Sequence, residues 1–252
     1  ILNKLKIDGM ITVRTQSTRL PNKCLLPFGN GNVLEHVIKR AKHFGFEPII
    51  CTTIENADDK IIKIAQDNGI RSFRGSVNDK LVRWRDACRT FNVEKFITID
   101  ADDLFFDNNL CRSSFTLLQN GYDLVKHPTV LPYEGCFGYS LSLDIIERAC
   151  EIKKRNDTEM MWFFLEEVSD IKTCRLPVKI DKSIGPIRLT LDYQEDYWLL
   201  SFVLRSIGHL AERDDIEKLF KKNPDLHKIN WFRNEEYKIN IDKNPISHKS
   251  RT

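Results

Sequence analysis

Apolar stretches of strand length alternate with helical repeats through the first hundred residues. Gly9-Met10-Ile11-Thr12-Val13 is a short, mostly apolar run, and a loop follows it to about Asn30. Val33, Leu34, Val37, Ile38 and Ala41 then recur at helical spacing. Residues 48–53 read as a second strand. Residues 58–68 read as a helix with Ile61, Ile62, Ile64 and Ala65 on its apolar face and Gly69 as its stop. A third strand over 70–74, a helix over 78–90 and a fourth strand over 95–100 complete the series. Strands separated by single helices predict βαβ units on a parallel sheet, with right-handed crossovers. Such sheets bind ligands at the carboxyl ends of their strands. The loop after Val13 and the segment after Ile99 are therefore expected to face one cleft.

The second half is less regular. Strands are expected at 123–125 and 137–143, with Ser142 capping a helix that runs to 154. A helix over 157–167, strands over 171–178 and 187–191, and helices over 193–207 and 214–222 follow. Trp162, Trp198 and Trp231 read most simply as core. There is no internal repeat, low-complexity tract or clear linker, so one domain is expected over 1–252.

Composition narrows the function classes. The 252 residues carry 39 basic and 36 acidic side chains, a formal net charge of +3. This balance argues against a dedicated nucleic-acid binder, which shows a basic excess. Seven widely spaced cysteines without a CxxC pair predict reduced, mostly buried thiols rather than a zinc site or disulfide framework. No apolar run reaches the roughly eighteen residues of a membrane span, and residues 1–9 lack a signal-peptide pattern. A cytoplasmic location is expected, and the polar stretch 242–252 is expected to fray.

Three clusters carry candidate chemistry. Arg14, Arg19 and Lys23 fall within ten positions, interleaved with Thr15, Ser17 and Thr18, on a loop that leaves a buried strand. Guanidinium forks, an ammonium and backbone amides can together meet a triphosphate; a solvated basic turn is the alternative. Asp100, Asp102 and Asp103 end the fourth strand. Three carboxylates so close repel one another unless a cation intervenes, and a hard divalent ion with oxygen ligands is the natural candidate. Strand alternation would put Asp100 and Asp102 on one face and Asp103 on the other. The alternative makes them loop and capping acids ahead of Asp107. The third cluster is Arg188-Leu189-Thr190-Leu191-Asp192, followed by Glu195 and Asp196 in the first turn of a helix, where acids favour the dipole. Asp192 ends its strand and can project into the cleft.

RTQSTRLPNKCLLPFGNGNVLEH resembles the ARxxSxRLPxKxLxxxxGxPxLxH signature of the cytidylyltransferases, which include CMP-Kdo synthetase and the SpsF-like nucleotidyltransferases of surface-polysaccharide pathways. Val13 stands where that family often has Ala. IDADDLFFD is similar to the family's QGDxP segment, with Asp100 in place of Gln and Leu104 in place of Pro. RLTLDYQED is similar to RLTxDxxED, and the stretch from Arg74 to Arg83 to GSxxDVLxR.

The resemblance implies an α/β, Rossmann-like nucleotidyltransferase fold. It has a mostly parallel central sheet flanked by helices, and a smaller irregular acceptor-binding or dimerisation insertion. The nucleotide-binding part would span 9–110, the acceptor part 120–185, and the second metal aspartate with the C-terminal helices 187–241. It implies that Arg14, Ser17, Arg19 and Lys23 bind NTP phosphates, that Asp102 and Asp192 bind Mg²⁺, and that Arg14, Lys23, Asp102 and Asp192 are catalytic. Arg74, Gly75 and Asp79 would touch the nucleotide. His127, Tyr133, Glu134 and residues 157–159 are acceptor-side candidates.

The implied reaction transfers CMP from CTP to a sugar or sugar acid with release of pyrophosphate, in a homodimer. The alternatives are a sugar-1-phosphate guanylyl- or uridylyltransferase, a glycosyltransferase using Asp100-Ala101-Asp102 as a DxD motif, and a non-catalytic nucleotide-binding homologue.

Overall fold

The computed structural model describes residues 6–127, 133–178 and 183–242. Strand β1 (Asp8–Thr12) is followed by a tight hairpin, β2 (Pro27–Phe28) and β3 (Gly31–Asn32), and by helix α1 (Val33–His43). Then come β4 (Glu47–Thr53), α2 (Asp59–Asp67), β5 (Arg71–Gly75), α3 (Lys80–Phe91), β6 (Lys95–Asp100) and α4 (Asn108–Gln119). The second half carries β7 (Leu124–Lys126), β8 (Tyr133–Glu134), β9 (Ser140–Ser142), α5 (Leu143–Ile152), α6 (Trp162–Glu166), β10 (Thr173–Arg175) and β11 (Ile187–Arg188). Helices α7 (Gln194–Ile207), α8 (Arg213–Lys222) and α9 (Arg233–Asp242) close it.

Among the described residues the main sheet has seven strands in the order β10-β7-β9-β6-β1-β4-β5. Strand β1 runs parallel to β4 and β6, and β4 to β5, as the alternating pattern predicts. Strand β9 is the exception: it lies antiparallel to both neighbours, β6 and β7.

The central strands read as near-continuous apolar runs because both faces are covered. Successive side chains fall on opposite faces. Met10, Ile49 and Phe96 pack with Trp84 of α3 and with Ile145 and Ile146 of α5. Their chain neighbours Ile11, Ile50 and Ile97 belong to the other apolar layer, with residues of α1, α4 and α7.

Local signals set the helix starts. Asn32 accepts from Glu35 N while the Glu35 carboxylate takes the Asn32 amide, a reciprocal cap on α1. Ser142 caps α5, as expected.

The irregular half departs further from the sequence pattern. The helix expected over 157–167 shrinks to α6, because Thr158 turns inward to bond α3 rather than extend a helix. The strand expected over 187–191 pairs with β8 only at Ile187 and Arg188; beyond them a single antiparallel bridge joins Thr190 to Asp103. Helix α9 is an element beyond those predicted. Trp198, expected in the core, is 57% exposed on α7, and Trp162 lines the cleft described below. Trp84 is the indole at the centre of the core, fully buried and donating to Thr12 Oγ1 (2.8 Å). Among the described residues no helix is long and apolar enough to cross a membrane.

Candidate active site at the carboxyl edge of the sheet

A cleft of about 850 Å³ opens where β1 and β6 end. The cationic loop forms one wall. Its first turn is tied down at Thr15, whose amide and hydroxyl both donate to Asp58 Oδ1 (2.8 and 2.7 Å). The other carboxylate oxygen takes the hydroxyls of Thr52 and Thr53 at the end of β4 (3.1 and 2.5 Å). Burial alone would raise the Asp58 carboxyl; the hydroxyls of Thr53, Thr15 and Thr52 and the Thr15 amide outweigh it and hold the group below its ordinary value. At the far end, Asn22 adopts a left-handed conformation (φ 53°) and starts the turn that carries Lys23. Cys24 is buried against this loop and its thiol is pushed up to about 12, so it is no nucleophile at neutral pH.

The acidic wall differs from a continuous strand. Strand β6 stops at Asp100, and the chain turns there, with Asp103 N donating to Asp100 O (3.0 Å). Alternation no longer applies. Asp100, Asp102 and Asp103 each bring one carboxylate oxygen within 4.8 Å of the others. Burial, with Asp102 and Asp100 beside it, pushes Asp103 well above the usual carboxylate range. Lys80 of α3 stands 3.6 Å from Asp100.

The third segment is stitched directly to this turn. Besides the bridge between Thr190 and Asp103, Leu191 N donates to Asp102 O (2.8 Å). Asp192 is thereby brought beside Asp102. Lys23 Nζ sits between the two carboxylates, 2.6 Å from Asp102 Oδ2 and 2.9 Å from Asp192 Oδ1, and also donates to Leu191 O (2.8 Å). Arg19 adds a second cation to Asp192 Oδ1 (2.6 Å). Burial would lower the Lys23 ammonium, but the charges of Asp102 and Asp192 raise it above its ordinary value. Burial would likewise raise Asp192, but Lys23 and Arg19 hold it well below the carboxylate range. Lys23 and Asp192 therefore face each other as a charged pair at neutral pH.

The donor set suits a hard divalent ion. Carboxylate oxygens of Asp102 and Asp192 converge on one cationic position, which the Lys23 ammonium fills here, and Asp100 and Asp103 lie alongside.

Arg14, Ser17, Arg19, Lys23, Asp102 and Asp192 all line the cleft. Arg14 reaches Glu159 (3.6 Å), a carboxylate also approached by the buried Arg83 (3.4 Å). Of the acceptor-side candidates, His127, Glu134 and Glu159 line the cleft, while Thr158 is buried. The Tyr133 side chain lies outside the described residues.

Arg74, Gly75 and Asp79 are not among the residues that line this cleft. The Arg74 guanidinium is spent on Thr53 O, Glu55 O and Asp59. A Cβ on Gly75 would meet the Phe73 ring at 2.8 Å and Arg83 at 3.0 Å, so its smallness serves packing. Asp79 is buried, caps α3 through Val82 N (3.1 Å) and accepts from Thr158 and Lys153 (2.8 and 2.5 Å). The cleft also holds residues that sequence patterns miss. Lys80, the first residue of α3, and Arg188, the last of β11, are examples: a cation at the end of a regular element reads as surface.

A model of the cytidylyltransferases matches residues 9–162, more than half of the chain. The protein belongs to the cytidylyltransferase family. SpsF, the spore coat polysaccharide biosynthesis protein of Bacillus subtilis, is 24% identical over 232 residues, covering 86% of this chain and 94% of that one. The 3-deoxy-manno-octulosonate cytidylyltransferase of Solibacter usitatus is 26% identical over 222 residues, covering 85% and 81%. A cytidylyltransferase structure from Leptospira borgpetersenii superposes with a TM-score of 0.77 at 27% identity, covering 88% of this chain and 97% of that one. The family match ends before Asp192, so the second acidic segment of this cytidylyltransferase lies outside the matched residues.

Proposed function

We propose that this cytidylyltransferase transfers CMP from CTP to a hydroxyl of a sugar or sugar acid, releasing pyrophosphate. The observation that carries the reading is the position of Lys23. Its ammonium joins two aspartates 79 and 169 positions away, at 2.6 and 2.9 Å, in a cleft that the cationic loop also lines. The Solibacter usitatus 3-deoxy-manno-octulosonate cytidylyltransferase and the Bacillus subtilis spore coat polysaccharide protein, as relatives, support CTP, a sugar acid and polysaccharide synthesis as the chemical setting.

Asp102 and Asp192 would hold Mg²⁺, which when bound neutralises phosphate oxygens and lowers the cost of ionising the attacking hydroxyl. Arg14, Ser17 and Arg19 bind the triphosphate through guanidinium forks and a hydroxyl. Lys23 follows the charge that grows on the departing pyrophosphate. The acceptor hydroxyl attacks the α-phosphorus as the bond to the β-phosphate oxygen breaks. Most of the acceleration comes from positioning and electrostatics, because this chemistry asks little covalent work of the protein. His127, Glu134 and Glu159, which line the cleft, are the residues assigned here to acceptor binding.

The test is a matrix of CTP, GTP, UTP and ATP against a panel of sugar acids and sugar phosphates with Mg²⁺, read by pyrophosphate release. Turnover with CTP and a sugar acid supports the proposal. Turnover confined to GTP or UTP with a sugar phosphate replaces it by the guanylyl- or uridylyltransferase reading.

A further inference from the structure

Asp192 divides its two carboxylate oxygens between two environments. Oδ1 holds Lys23 and Arg19, whereas Oδ2 takes Arg188 Nη2 (3.3 Å); Arg188 and Asn234 also line the cleft. Arg188 is 2% exposed, and every arm of its fork is used. Nε and Nη2 hold the two oxygens of Asp196 (2.8 and 3.1 Å), and Nη1 donates to Asn234 Oδ1 (2.6 Å). Asp196 in turn accepts the backbone amides of Asp192 and Tyr193 (both 2.9 Å). Asn230 closes the ring, its amide nitrogen donating to Arg188 O (3.0 Å) and Asp196 Oδ1 (2.9 Å). Asn230 and Asn234 are themselves buried, at 0% and 4% exposure.

The two asparagines come from the last stretch of the described chain, at and just before α9. That stretch is clamped onto α7 by Arg233, which holds both oxygens of Glu195 (2.8 and 3.0 Å). Arginine is a donor only, so Nη1 requires an acceptor, and the Asn234 amide oxygen is the one it has. Removing that oxygen leaves a buried, charged N–H unpaired, and the guanidinium can then recover a partner only by rotating its fork. Rotation releases Asp192 Oδ2, and with it the orientation in which Oδ1 meets the cation.

Resting on the proposed metal role of Asp192, we infer that Asn234 and Asn230 are positioning residues for the metal carboxylate, acting through Arg188 and Asp196. The C-terminal helix is thereby a working part of the active site, although the family match stops at residue 162. Partners behind metal ligands typically set metal affinity by about ten- to a hundredfold.

The experiment measures Mn²⁺ affinity by EPR titration of the full chain with Mn²⁺ alone, beside thermal melts. Asn234→Ala is expected to weaken Mn²⁺ binding at least about tenfold. Asn234→Asp, which keeps an acceptor for Nη1, is expected to restore most of it. Ser114→Ala, which removes a buried hydroxyl outside the cleft lining, is expected to lower the melting temperature and leave Mn²⁺ affinity alone. Where Asn234→Ala does not fold, Asn234→Gln, which displaces the oxygen by one methylene, carries the same comparison. Equal Mn²⁺ affinity in wild type and folded Asn234→Ala, or folded Asn234→Gln where the alanine variant does not fold, overturns the inference while leaving the proposed function standing. Absence of Mn²⁺ binding in the wild type overturns the metal role of Asp192 and the inference with it.

Discussion

Thr15 and Asp58 lie 43 positions apart, and both the amide and the hydroxyl of Thr15 end on one oxygen of Asp58. This contact anchors the start of the cationic loop to the end of the neighbouring strand. Asp58→Ala leaves four buried donors without an acceptor. It is expected to cost about 3 kcal/mol or more, the scale of breaking a buried polar network. Denaturant unfolding of the purified variant measures it. A change within about 0.5 kcal/mol contradicts the anchoring role.

His36 supplies a pH dependence. Its ring is buried against Phe28 and Phe105, and its Nε2 lies 2.8 Å from Leu104 O. Burial lowers its pKa from 6.5 to about 4; the Leu104 carbonyl opposes this and Arg40 adds to it. The unfolded chain thus binds a proton at this residue near pH 6.5, and the folded one only near pH 4. Between those values the unfolded state holds more protons, so acidification favours unfolding. The neutral ring contributes fully above pH 6.5, and about 3 kcal/mol is lost as pH falls to about 4. Melting temperatures across that range should fall more steeply in the wild type than in His36→Gln. Parallel profiles contradict the assignment.

Arg74→Ala separates a structural arginine from a nucleotide ligand. Its bonds all go to the protein around α2. Turnover and the KM for CTP are expected to stay within about twofold of wild type, with a stability loss of about 1 kcal/mol. A tenfold rise in KM would return Arg74 to the nucleotide site.

How much of this was legible in the sequence divides along the same line. The order β1-α1-β4-α2-β5-α3-β6 follows from runs buried on both faces, because burial writes an unambiguous apolar pattern. The loop and the two aspartates were legible because their charges stand out against those runs. The strand expected over 137–143 is present as β9, but its direction was not legible: nothing in three residues says that they enter the sheet antiparallel between β6 and β7. The sequence does not assign Gly75 and Asp79, because a glycine and a capping acid at a helix start look alike whether they serve packing or a ligand. Arg188 was passed over because its role depends on Asn230 and Asn234, more than 40 positions away, and no spacing encodes that meeting.

The central claim is that Lys23, Asp102 and Asp192 form one phosphate- and metal-handling centre. Pyrophosphate release from CTP, Mg²⁺ and an accepted sugar acid tests it most directly, comparing wild type with folded Asp102→Asn and Asp192→Asn. Each variant is expected to lose at least about a hundredfold in turnover, the scale of removing one principal electrostatic contact, with its melting curve still cooperative. Turnover within threefold of wild type in either variant would contradict the account.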